Sequence, residues 1–107
     1  MKDLIKALNI LQSFLKNPDT NYPTACEHDV LYVCSVDFNK VTVNDVHLLY
    51  SLGFIPGSDE DADIFIKYND DGEYIGEIDL NNISEETWNN IKGDLTNCFR
   101  SYRFGSC

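Results

Sequence analysis

The sequence has no long apolar run. None approaches the roughly 18 consecutive residues that a membrane-spanning helix needs, so a transmembrane helix is excluded. Cations are also scarce: 8 Lys and Arg stand against 18 Asp and Glu, giving a formal net charge of −10 and a pI near 4.3. With no basic patch to neutralise phosphates, nucleic acid is excluded as a direct ligand. No Cys-x₂-Cys pair is present, which removes the common zinc spacings. No catalytic or cofactor motif stands out. The expectation is therefore a protein that is not an enzyme, with no catalytic residue, no resident metal and no cofactor.

What is present is a globular composition: 43% hydrophobic and 12% aromatic residues in 107. That length holds one core, and residues 1–107 read as a single domain. Lys6, Asn9, Gln12 and Lys16 interrupt the N-terminal apolar residues on a helical period, and no small-residue cleavage site follows. The segment is thus read as a helix rather than a signal peptide. The expected compartment is the cytoplasm, where the four cysteines would be thiols.

The charge is concentrated. Eleven of the 18 acids but only one of the 8 bases, Lys67, lie between Asp59 and Glu86. Seven acids and seven bases remain elsewhere, so this one stretch carries the whole excess. Phe65, Tyr68 and Tyr74 are interleaved with its carboxylates and Trp88 follows just after them, which places the charge on a folded surface.

Leu4, Leu8, Leu11 and Leu15 mark a helix over residues 3–16, ended by Asn17-Pro18. The Val30–Val36 run reads as a strand covered on both faces. Thr42 and Asp45 form a capping-box pattern for a helix reaching Leu52, with Gly53 just past its end. Asp63–Tyr68 and Glu73–Leu80 alternate around the turn Asn69-Asp70-Asp71-Gly72, predicting a hairpin with an acidic outer side. Ser84 caps a further helix, with Ile83 and Trp88 spaced as a hydrophobic staple. Its inner stripe runs to Cys98, and Gly93 within it suggests close packing. Phe99–Phe104 is the last strand, with Arg100 placed near the sheet edge. The order is an N-terminal helix followed by β-α-β-β-α-β. That predicts an α+β fold, an antiparallel sheet with helices on one face, compatible with ferredoxin-like topology.

Several residues invite chemistry. Cys26-Glu27-His28-Asp29 would begin a zinc site completed by Cys98 or Cys107, or pair a thiolate with His28, or simply lead a loop into a strand. Cys34 and Cys98 read as small buried hydrophobes, and His47 as a structural histidine. Asp59-x-Asp61-x-Asp63 has the start of a calcium loop, but Ile64 stands where that loop needs glycine and Asp70 where it needs glutamate.

The pieces PTACEHDVLYV, VNDVHLLYSLGF and SYRFGSC resemble a group of small uncharacterised acidic bacteriophage proteins. The resemblance rests on Cys26 to Asp29, Leu52 to Phe54 and Phe104 to Cys107. It covers about half the chain, outside the acidic stretch, and brings no known activity. It implies a phage or mobile-element origin and a life inside an infected bacterium.

The leading expectation is an interaction protein that inhibits a host nucleic-acid-binding or defence protein, such as a CRISPR effector, by occluding its basic surface. Carboxylates spaced along strands and a helix start imitate the charge of a nucleic-acid backbone. The residues expected at the interface are Asp59, Glu60, Asp61, Asp63, Tyr68, Asp70, Asp71, Glu73, Tyr74, Glu77, Asp79, Glu85 and Glu86, with Trp88 as a further anchor. Two alternatives remain open: a metal or thiol site on Cys26, His28 and Cys107, and a homodimer formed through a sheet edge or the N-terminal helix. A purely solubilising surface is the plainest reading of the charge.

Overall fold

Leucines recurring every three or four residues produce a first helix, as expected, but a shorter one. In the computed structural model, which describes residues 1–104, the elements are α1 (Lys2–Gln12), β1 (Thr24–Glu27), β2 (Val30–Cys34), α2 (Val43–Ser51), β3 (Ile55–Pro56), β4 (Ile66–Tyr68), β5 (Tyr74–Glu77), α3 (Glu85–Ile91) and β6 (Cys98–Ser101). Three 3₁₀ turns, Phe38–Lys40, Asp59–Phe65 and Lys92–Asp94, lie between them. Helix α1 stops where the Ser13 hydroxyl bonds back to the Ile10 carbonyl at 2.6 Å. Phe14 and Leu15 then turn into the core. No helix among the described residues is long and apolar enough to cross a membrane.

The main sheet is antiparallel, in the order β1-β2-β6-β3. The fold is thus α+β as expected, with β2 in a central place. Strand β1 is an addition. All four of its residues are exposed, so no apolar alternation announces it. It joins β2 through His28 and Asp29, both at positive φ (52° and 63°), the two-residue turn whose twist matches a hairpin.

The ferredoxin-like arrangement does not form. Strands β4 and β5 pair only with each other, as a separate two-stranded sheet, and β6 lies inside the main sheet rather than at an edge. The predicted strand from Asp63 instead begins with a 3₁₀ turn, and the α3 helix ends at Ile91 rather than Cys98.

Side chains alternate across a strand. Val33 and Phe99, paired in register, point into a continuous core with Leu11 of α1, Val46 and Leu49 of α2 and Trp88 of α3. Phe38 bridges Trp88 and Phe99 by edge contacts at 5.5 and 5.6 Å between centroids. The Thr42–Asp45 capping box is formed, Gly53 takes φ +95° after α2, and the staple residues Ile83 and Trp88 are both buried. Gly93 is not a packing glycine: it lies in a 3₁₀ turn, and a Cβ there would meet nothing within 4 Å.

Candidate functional site

The opposite face of the main sheet carries Tyr32 and Cys34 from β2, paired in register with Arg100 and Cys98 from β6. Arg100 is buried, not at a sheet edge as expected. Its guanidinium donates to the carbonyls of Pro56 (3.1 Å) and Gly57 (2.9 Å), and its Nε lies 3.3 Å from the Asp59 carboxylate. Tyr32 and Tyr102 also donate their hydroxyls to Asp59. Burial, then the bond to Asp59, raises the Tyr32 pKa. One carboxylate thus neutralises a buried cation and gathers two phenols, fastening the 3₁₀ turn to the sheet.

Asp61 turns inward as well. It is buried, and its carboxylate accepts from the Ser58 and Thr96 backbone amides, each at 2.9 Å. Burial works to raise its pKa, but those two amides, with Arg100 nearby, outweigh it and hold the carboxyl below its ordinary value. Asp59 and Asp61 therefore point at separate partners within the chain, and the calcium-loop pattern does not converge on a common centre. Asp61 is removed from the open acidic surface. The sequence did contain the signal: Ser58-x-x-Asp61 is a capping-box spacing.

The remaining acidic candidates are exposed: Glu60, Asp63, Asp70, Asp71, Glu73, Glu77, Asp79, Glu85 and Glu86. Four of them flank or lie within the β4–β5 ribbon. Its turn is held by Asn69, whose side chain accepts from the amides of Asp71 (3.0 Å) and Glu73 (2.9 Å). The ribbon's root is tied down, since Ile78 donates to the carbonyl of buried Phe65 at 2.7 Å. Beyond the root, Tyr68 and Tyr74 face each other across the strands, 58% and 63% exposed. A register shift leaves Ile75, also 60% exposed, without a partner in the ladder. Asp79 closes the segment: the Asn82 side chain and the Asn81 amide donate to it and lower its pKa. Glu85 and Glu86 lie in the first turn of α3.

Trp88 is not an anchor for a partner. It is 1% exposed, and its indole N–H donates to the Val41 carbonyl at 3.0 Å. His47 is structural: its Nε2 donates to the Ile83 carbonyl at 2.8 Å, tying α2 to the start of α3. His28 stands exposed at the β1–β2 turn, 3.5 Å from Glu27. No group of three metal-ligating side chains occurs among the described residues, and Cys107 lies outside them. Cys34 and Cys98 are free thiols. Cys26, on the exposed edge strand, is disulfide-bonded, which corrects the expectation of four thiols.

No family model, no curated protein and no solved structure matches this chain.

Proposed function

We propose that this chain is a non-enzymatic, acidic binding protein that docks its β4–β5 ribbon and the adjoining carboxylates on the basic surface of a nucleic-acid-binding protein. One observation carries the reading: a two-stranded ribbon that exposes a cross-strand tyrosine pair and an isoleucine among carboxylates, with Lys67 as the only cation of the whole 59–86 stretch. A surface serving solubility alone has no use for three large exposed apolar side chains at its centre.

The division of labour follows from the chemistry. Carboxylates at Asp63, Asp70, Asp71, Glu73 and Glu77 take the lysine and arginine positions that phosphates otherwise fill, and they steer encounter. Tyr68 and Tyr74 provide the desolvated contact that exposed charge does not supply, and their ring faces suit arginine. Inhibition is by occlusion. The resemblance to phage proteins adds the setting, an infected bacterium whose defence nucleases have such surfaces.

The test is capture from bacterial lysate at low and high salt, with competition by DNA or RNA. A basic nucleic-acid-binding protein that is released by salt and displaced by nucleic acid supports the reading. A partner that is neutral, or indifferent to both, contradicts it.

A further inference from the structure

Cys34 and Cys98 face each other in the register of β2 and β6. Their backbone bonds fix the kind of pair they make. Cys34 donates its N–H away from β6, to the Pro23 carbonyl at 2.8 Å, and Cys98 accepts on its far side from the Gly57 amide at 2.7 Å. In an antiparallel strand one residue's N–H and C=O point the same way, so neither cysteine bonds to the other strand at this position. This is a non-hydrogen-bonded pair, the narrow kind, with Cα atoms ~4.5 Å apart and side chains on one face. That spacing lies inside the 4.4–6.8 Å range of a disulfide.

Both cysteines are free thiols, and both residues line the same open groove of about 730 Å³, whose walls include Lys16, Tyr32 and Asp59. Cys34 is half-buried and the more accessible of the two, whereas Cys98 is buried. Burial raises both thiol pKa values, that of Cys98 to about 11.

We propose that Cys34 and Cys98 are a cross-strand dithiol that closes into a disulfide by exchange with a small-molecule disulfide entering this groove. The Cys34 thiolate attacks one sulfur of the incoming disulfide. The S–S bond of the small molecule breaks, and one of its halves leaves as a thiol after taking a proton. Cys98 then loses its proton and attacks the Cys34 sulfur, forming the protein disulfide and expelling the second half. Two protein thiols are oxidised by two electrons, and one small disulfide is reduced to two thiols. Cys34 is the attacking residue because it is the accessible one.

The test uses the folded full chain with excess glutathione disulfide at about pH 9.5, to offset the raised thiol pKa values. The reaction is quenched in acid, remaining thiols are alkylated under denaturing conditions, and peptides are mapped by mass. The expected result is a Cys34–Cys98 linkage, with the doubly alkylated species falling to about a tenth or less. In C98S, a persistent glutathione adduct on Cys34 is expected. A stable Cys34 adduct in the wild-type chain with Cys98 still alkylatable overturns the proposal, as does full alkylation of both. Because the decisive readout is the wild-type peptide map, a poorly folded C98S leaves it intact.

Discussion

The Asp59 carboxylate lies 3.3 Å from the Arg100 Nε, joining the most acidic stretch of the chain to a cation buried in the main sheet. The contact divides the acidic stretch into two parts. Asp59 and Asp61 hold the 3₁₀ turn in place, and the ribbon beyond is left with its carboxylates open to solvent.

Removing Asp59 therefore tests architecture rather than binding. In Asp59→Ala, Arg100 keeps its two carbonyl partners but loses its counter-charge. Asp59 is itself half-exposed, so the expected loss is about 1–2 kcal/mol rather than the larger cost of breaking a fully buried pair. Urea denaturation measures it, and the variant retains binding.

Asp61 should give the protein an acid-sensitive component of stability. Its folded pKa is depressed, so its contribution is complete above the unfolded value of ~3.9 and is lost as pH falls through the lower folded value. Asp61→Ala also strands the amides of Ser58 and Thr96, for an expected cost of about 1–3 kcal/mol at neutral pH. Denaturation midpoints of wild type and variant, measured from pH 7 down to pH 3, should draw closer at the acid end.

Among the described glycines, Gly57 is the one where an added Cβ meets the shortest contact. Its φ is +86°, and a Cβ there would stand 2.8 Å from the Asp61 carboxylate oxygen and 3.2 Å from Leu95. Gly57→Ala combines left-handed strain with that clash, for an expected loss of about 2 kcal/mol or more. Gly72→Ala shares the positive φ but meets nothing within 4 Å, so strain alone should cost it about 1 kcal/mol. Comparing the two melting curves separates clash from strain.

Local chemistry was the legible part of the sequence. The Thr42–Asp45 box, the Gly53 position, the Asn69–Gly72 turn and the Ile83–Trp88 staple depend on residues a few positions apart, and all form. Partners distant in sequence were hidden. Nothing near Arg100 announces that Pro56, Gly57 and Asp59 will surround it, and an all-exposed edge strand such as β1 has no hydrophobic period to read. The same holds for the acidic candidates. Charge density marked the stretch, but only tertiary contacts distinguish Asp61, turned inward, from Asp63, left outside.

The ribbon's role is tested most directly by comparing captured partners of the wild type with those of two variants. One reverses Asp63, Asp70, Asp71 and Glu73 to lysine, sparing the structural Asp59 and Asp61. The other is Tyr68→Ala with Tyr74→Ala. Both should keep the wild-type circular dichroism and lie within ~1 kcal/mol of its stability, because the altered side chains are exposed. The account predicts that the charge reversal abolishes capture of a basic, nucleic-acid-displaced partner, and that the tyrosine pair weakens it at least about tenfold, or ~1.4 kcal/mol. Undiminished capture by the folded charge-reversed variant would contradict the account and leave the acidic ribbon a solubilising surface.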